Sequence, residues 1–252
     1  MIDIHSHLLP GVDDGSPSID VSVPVLRRFG DEGVEVLVCT PHLRATDAHR
    51  APYQQYAAIF EELVRHAPER PHLKLGWEIM LDIPGVDLRA PHLRLGGSTA
   101  VLVEFPRMHV PTGAAEELFR LSMSGLVPVL AHPERYVGCT EELVEQWRSV
   151  GAVIQTDAAV LLGHASMAQL AQSLLEQGLV DCIASDNHGD VRSISPARQW
   201  LLEIGASEQA ELLTHVNADR LLASRPVYPV APIPRVERGM LTRLKELLLG
   251  RR

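Results

Sequence analysis

Met1-Ile2-Asp3-Ile4-His5-Ser6-His7-Leu8-Leu9-Pro10-Gly11-Val12-Asp13-Asp14-Gly15 opens the chain, and its reading sets the expected fold. Ile2-Asp3-Ile4 has the character of a short buried strand, with His5 and His7 at its end. In extended backbone, residues i and i+2 point to the same side, so two imidazoles at the mouth of a strand can reach one metal ion. A turn at Pro10-Gly11 brings Asp13-Asp14 back within reach, and this stretch leaves open which of the two carboxylates is the ligand. A polar strand end followed by a charged turn has the same local pattern, so the rest of the chain must decide.

Further short apolar runs follow at residues 34–39, 73–78, 100–105, 127–131, 152–155 and 180–184. Helical patterns at 19–30, 52–66, 114–125, 141–150 and 167–177 separate most of them, and residues 79–98 read as a long irregular loop. The runs are continuous rather than alternating, which marks strands covered on both faces in a parallel sheet. Seven strands in β/α alternation predict an α/β barrel or a doubly wound sheet. Two more helices are expected at 207–223 and 236–249, joined by a Pro-rich extended connector at 225–234. The last carries a Met240/Leu241/Leu244/Leu247/Leu248 stripe suited to docking on the domain or on a partner. The expected division is one domain over 1–222 and a connector with C-terminal helix over 223–252.

The 252 residues carry a net charge of −9 and are 46% hydrophobic. A globular domain with a full core is expected, and an acidic chain argues against nucleic acid as the main partner. There is no signal-peptide pattern and no apolar run long enough for a membrane span. With the first strand at residue 2, no segment is expected ahead of the domain, and the expected location is cytoplasmic. Cys39, Cys139 and Cys182 are odd in number and scattered, which fits buried thiols in a reducing compartment. None has Arg six positions later, so a thiol-phosphatase loop is missing.

Residues able to hold a metal fall at the C-terminal ends of six of these strands: His5 and His7, His42, Glu78, Glu104, His132, then Asp186 and His188. The remaining strand offers only Gln155 and Thr156 there. In (β/α) barrels that end carries the active site. Imidazole and carboxylate without thiolate suit manganese, iron or zinc. Eight such groups exceed the needs of one ion, which predicts a multinuclear site bridged by a carboxylate, able to hold a phosphate oxygen and to generate hydroxide. His49, His66, His72, His92, His109, His164 and His215 lie elsewhere and are read as surface or satisfied polar residues.

Asp3-Ile4-His5-Ser6-His7, Asp13-Asp14-Gly15, Thr40-Pro41-His42, Gly76-Trp77-Glu78, Glu104-Phe105, His132-Pro133-Glu134-Arg135-Tyr136 and Ser185-Asp186-Asn187-His188 together resemble the polymerase-and-histidinol-phosphatase (PHP) superfamily. Within it the chain looks like the manganese-dependent bacterial tyrosine phosphatases of capsule and exopolysaccharide operons. The resemblance runs from residue 1 to about 222, ending in Asn217-Ala218-Asp219-Arg220-Leu221-Leu222. It implies a distorted seven-stranded (β/α) barrel with three Mn²⁺ ions, Fe or Zn being possible. It places His5, His7, Glu78 and Asp186 on the first ion. Glu78 bridges to a second ion held by Glu104 and His132, and Asp14, His42 and His188 hold the third. Arg135 contacts the substrate phosphate. Arg192 is a second candidate, although its spacing from the Asp-x-His is one residue shorter than in relatives.

The expected function is metal-dependent phosphoester hydrolysis by a metal-bound hydroxide, acting on phosphotyrosine in a protein. By resemblance, that partner is a bacterial tyrosine kinase of polysaccharide export. The alternatives are a small-molecule phosphatase of the histidinol-phosphate type and a non-catalytic phosphate- or metal-binding regulatory domain. The latter predicts missing ligands, and none is missing.

Overall fold

The computed structural model describes residues 1–106, 109–163 and 166–234. The apolar runs form β1 (Ile2–Ser6), β2 (Val36–Cys39), β3 (His42–Arg44), β4 (His72–Leu75), β5 (Glu78–Met80), β6 (Ala100–Glu104), β7 (Val127–Ala131), β8 (Val153–Asp157) and β9 (Cys182–Ala184). Every pairing is parallel. The strands lie in the orders β1-β2-β4 and β3-β5-β6-β7-β8-β9. The two sheets join end to end. Asp186 N–H donates to the His5 carbonyl at 3.0 Å, and His7 N–H donates to the Asn187 carbonyl at 2.7 Å. The chain after β9 thereby returns to β1, and the expected seven-position parallel barrel closes.

Two of the seven positions are broken, which corrects the sequence reading. His42 follows strand two as expected, but across a break, and Glu78 does not end strand three. Each opens a second half-strand, β3 and β5. Pro41 lacks the N–H that an unbroken ladder needs. At Gly76 a Cβ would lie 2.8 Å from Leu95 Cδ2, so the backbone bends past that side chain where only glycine fits. The sixth strand position also runs two residues further than expected, to Asp157.

Alternate residues serve two cores. Ile4, Val38, Leu102, Val129, Val153 and Ala184 share one buried cluster inside the barrel. Val103, Leu130, Ile154 and Ile183 belong to another. That second cluster includes Leu118 from α3 (Ala114–Met123), Trp147 from α4 (Glu141–Ser149) and Leu174 from α6 (Ser166–Glu176). Leu26 and Phe29 of α1 (Ile19–Asp31) and Leu63 of α2 (Tyr53–His66) cover β2 through Leu37 and Cys39. Burial on both faces is why the strands read as continuous apolar runs. Two helices had no counterpart in the sequence reading, the single turn α5 (Ala158–Leu161) and α7 (Ser195–Glu203). The helix expected at 207–223 is α8 (Ser207–Glu211) and α9 (Asn217–Leu222), joined by a π turn at Leu212–Val216.

The connector at 225–234 contains no helix or strand. It packs on the barrel through buried Val230 and Ile233. The Asn217 side chain accepts from Tyr228 N–H at 2.8 Å and donates to its carbonyl at 3.0 Å. The expected helix at 236–249 and its leucine stripe lie outside the described residues.

Candidate metal centre

The site begins with a bulge. Asp3 is in register with Leu37 but Ser6 with Cys39, so β1 carries one extra residue between them. Ile2 and Ile4 face the barrel interior. By strict alternation His5 and His7 would then face outward, and the extra residue turns both inward. Fully buried Asp3 holds the bulge: its Oδ1 accepts from His5 N–H at 3.3 Å and from Ser185 N–H at 3.1 Å. Burial pushes its carboxyl up to about 6.

His5 Nε2 lies 3.3 Å from His7 Nε2, 3.3 Å from Glu78 Oε1 and 3.3 Å from Asp186 Oδ1. His7 Nε2 lies 3.3 Å from Glu78 Oε2 and 3.2 Å from Asp186 Oδ1. Ligand atoms of a tetrahedral ion with bonds of about 2.0–2.1 Å lie about 3.3–3.4 Å apart. His5, His7 and Asp186 form one potential ion-binding group at that spacing, and Glu78, which meets His5 and His7 with different oxygens, groups with His5 and His132. The far ring nitrogens are fixed. His5 Nδ1 faces Gln155 Oε1 at 2.9 Å, and the Gln155 amide is oriented by donating from Nε2 to Asp157 Oδ1 at 3.2 Å. His7 Nδ1 donates to Asp13 Oδ2 at 2.7 Å. An oxygen acceptor at Nδ1 leaves each Nε2 as the ligand atom.

Asp13 and Asp14 have different partners. Asp13 is committed to His7 Nδ1, to His42 N–H at 3.3 Å and to Gly15 N–H at 3.0 Å. Asp14 Oδ1 instead faces His42 Nε2 at 3.2 Å and His188 Nε2 at 3.8 Å. His188 Nδ1 donates to the Asp186 carbonyl at 2.9 Å. His7, Asp14, His42 and His188 form one potential ion-binding group.

Glu78 joins the remaining residues. His132 Nε2 is 2.8 Å from Glu78 Oε1, and His42 Nδ1 is 2.9 Å from Glu78 Oε2. Glu104 groups with Glu78 and His42, whereas His132 groups with Glu78 and His5. The set expected around a second ion therefore shares Glu78, with its two other members in different groups. His132 has φ 36° and Asp186 φ 48°. Such left-handed backbone is strained for non-glycine residues and is held here by the surrounding ladder.

The charge distribution suits cations. Burial opposes charge on Glu78, yet the surrounding imidazoles, His5 foremost, hold its carboxyl well below the usual range. Burial and then the Glu78 carboxylate push Glu104 up to about 7. Burial disfavours imidazolium at His5, but Glu78 and Asp186 outweigh it and raise its pKa to about 9. Without ions, protons fill the place that cations fit.

Both candidate arginines reach the site. Arg135 Nη2 pairs with Asp186 Oδ2 at 2.7 Å and also with Asp157. Arg192 Nη1 is 3.4 Å from the same Asp186 oxygen, and its Nε donates to Asp190 Oδ2 at 2.8 Å. The shorter spacing after Asp186 does not keep Arg192 away. Its loop is tied down by the Asn187 amide at 2.6 Å and Arg28 Nη2 at 3.0 Å, both donating to the Arg192 carbonyl. Asp157, which the sequence reading missed, serves both parts of the site through Gln155 and Arg135. It lies two residues after Gln155, so a longer strand six would have placed it on the same face. The roles of Asp3 and Asp13 were also missed. Among the described residues, His49, His66, His72, His92, His109 and His215 are not buried and fall in none of the clusters. His164 is outside them.

Residues 1–223 match the family described as capsular polysaccharide synthesis, CpsB/CapC. The chain belongs to the CpsB/CapC family. This CpsB/CapC chain is 28% identical to the tyrosine-protein phosphatase YwqE of Bacillus subtilis over 249 residues, covering 93% of this chain and 96% of that protein. It is 30% identical to the tyrosine-protein phosphatase CpsB of Streptococcus pneumoniae over 240 residues, covering 84% of this chain and 94% of the relative. A solved structure described among YwqE and CpsB "unique metal-dependent tyrosine phosphatases" superposes with a TM-score of 0.77 at 27% identity, over 94% of this chain and 100% of the other. An amidohydrolase from Mycoplasma synoviae shares the fold, with a TM-score of 0.52 at 12% identity.

Proposed function

We propose that this CpsB/CapC chain is a metal-dependent tyrosine-protein phosphatase whose ions are held by His5, His7, Asp14, His42, Glu78, Glu104, His132, Asp186 and His188. The observation that carries the reading is the 3.2–3.3 Å spacing of the His5 and His7 Nε2 atoms from each other and from the Glu78 and Asp186 carboxylates, with two guanidiniums converging on Asp186 Oδ2. The same activity in the names of family relatives supports it. Mn²⁺ is the proposed ion, because oxygen and imidazole donors without thiolate suit it, and three ions are the proposed number. The proposed natural partner is a phosphotyrosine-bearing protein, a bacterial tyrosine kinase of polysaccharide export. No described helix is long and apolar enough to cross a membrane.

When bound, divalent ions supply Lewis acidity toward phosphoryl oxygens and acidify water. The chain's own residues do the rest. Arg135 and Arg192 take phosphate oxygens and stabilise the charge that grows on them as the ester breaks. Asp157 holds Arg135, and Asp13 and Gln155 hold His7 and His5 in the orientation that presents Nε2. The test is hydrolysis of O-phosphotyrosine and p-nitrophenyl phosphate before and after exhaustive chelation. Activity should vanish on chelation and return with Mn²⁺. Because His5 holds a proton up to about pH 9 in the ion-free protein, ions must displace it below that pH. At limiting Mn²⁺ the rate should rise as pH increases toward 9. Full activity after chelation would rule the mechanism out.

No thiol takes part in this chemistry. Cys39 and Cys182 are fully buried and Cys139 partly so. Burial pushes the thiols of Cys39 and Cys139 up to about 12 and that of Cys182 well above its usual value. The triple Cys39/Cys139/Cys182→Ala variant should lower Tm by several degrees, on the order of ΔΔG 1–3 kcal/mol, and keep most of the turnover. A trapped phosphocysteine would point to a different nucleophile.

A further inference from the structure

Past the metal cluster, β3 continues by one same-face step. His42 and Arg44 are both exposed while Leu43 between them is buried. Side chains two apart on a strand share a face and lie about 7 Å apart. Met80 is in register with Arg44, as Glu78 is with His42, and β3 is the edge strand of its sheet. A cavity of about 510 Å³ opens at this edge, bounded by His42, Arg44, Arg50, Pro52, Tyr56 and Met80. That volume is within the ordinary range of ligand pockets. One end is the ion-binding residue His42, so its occupant lies beside the reacting phosphate.

The far rim is cationic in an otherwise acidic chain. Arg44 Nε donates to Asp47 Oδ2 at 3.0 Å, and Arg50 Nη2 donates to Asp47 Oδ1 at 2.6 Å. Two guanidiniums around one carboxylate leave a net positive charge. Each has five N–H donors, only part of which Asp47 takes, and the side chains are 61% and 68% exposed. Met80 and Pro52 supply apolar surface for the methylenes of an incoming side chain.

We propose that this cavity is a substrate subsite for the polypeptide flanking the phosphotyrosine. It accepts a residue bearing a carboxylate within two positions of that tyrosine, gripped by Arg44 and Arg50. The inference rests on the phosphotyrosine reading above. Its length scale agrees: in an extended peptide the side chain two residues from the phosphotyrosine is also about 7 Å away, matching the step from His42 to Arg44. Asp47 organises the two arginines and competes with the incoming carboxylate.

The test uses the full chain with Mn²⁺ and pairs of phosphotyrosine peptides that differ only in Glu or Gln at the two positions on either side, with p-nitrophenyl phosphate as control. For exposed ion pairs the expected preference for Glu peptides is about 3- to 10-fold in kcat/KM, carried mainly by KM. In R44Q/R50Q the preference should disappear with metal content and p-nitrophenyl phosphate turnover unchanged, and D47N should enlarge it. Equal rates on Glu and Gln peptides in the parent, or a preference that survives R44Q/R50Q, would overturn the subsite. If p-nitrophenyl phosphate is hydrolysed and no phosphotyrosine peptide is, the polypeptide-substrate reading itself falls and the subsite falls with it.

Discussion

Glu78→Gln should leave a folded barrel that binds fewer ions and turns over phosphotyrosine more slowly by at least about 10²–10³. The reason is the number of partners that meet this one side chain. Its two oxygens lie 3.3 Å from His5 Nε2, 3.3 Å from His7 Nε2, 2.9 Å from His42 Nδ1 and 2.8 Å from His132 Nε2. Among the described residues, no other carboxylate is seen to touch residues of every cluster, so its charge is the one that would let cations sit close together. Glutamine keeps the shape but removes that charge and places an amide N–H against ligand nitrogens. Elemental analysis should show loss of at least one ion per chain, and circular dichroism should be close to the parent's. Normal metal content with normal turnover would remove Glu78 from its bridging role.

Arg135→Ala and Arg135→Lys should both be severely impaired, by about 10²–10³ in rate, with metal content near that of the parent. Arg135 sits in the 3-10 turn leaving β7 and meets Asp157 and Asp186 at the inner end of the site. With Asp157 holding one edge of the guanidinium, the remaining N–H groups are free to make a planar two-point contact with phosphate oxygens. Lysine offers a point charge on a flexible stem and cannot make both contacts. The interaction strengthens as charge grows on the transferring group, so kcat should fall along with KM rising. If Arg135 were purely structural, Arg135→Lys would keep the Asp157 pairing and most of the activity, and Arg135→Ala would mainly lower Tm.

The strands were legible because both faces are buried, which leaves unbroken apolar runs such as Val127–Ala131. Most of the candidate cluster was legible because its members fall where a strand meets the rim. What failed to show depends mostly on contacts that a local pattern does not record. The break at Gly76-Trp77 depends on how Leu95 crowds the backbone, a contact between residues apart in sequence, and the break at Thr40-Pro41 on the N–H that Pro41 lacks. The inward aim of His5 and His7 depends on a bulge that Asp3 pins to Ser185, 182 residues away, and no periodicity records that. Asp157 was overlooked because strand six was ended at Gln155, before the residue that anchors Arg135. Preferring Asp14 to Asp13 as a proposed ligand rests on the hydrogen bond between His7 and Asp13, since adjacent carboxylates in a turn are equivalent on paper.

The central claim is that one rim of the barrel holds a cluster of divalent ions on which phosphotyrosine hydrolysis depends. The most direct test is to strip the protein, titrate it with Mn²⁺, and follow bound ions by elemental analysis alongside the rate on O-phosphotyrosine. The account predicts no activity in the stripped protein, and uptake that reaches three ions per chain as the rate reaches its plateau. A rate that is full in the stripped protein, or that saturates with no ion bound at the rim, would contradict it.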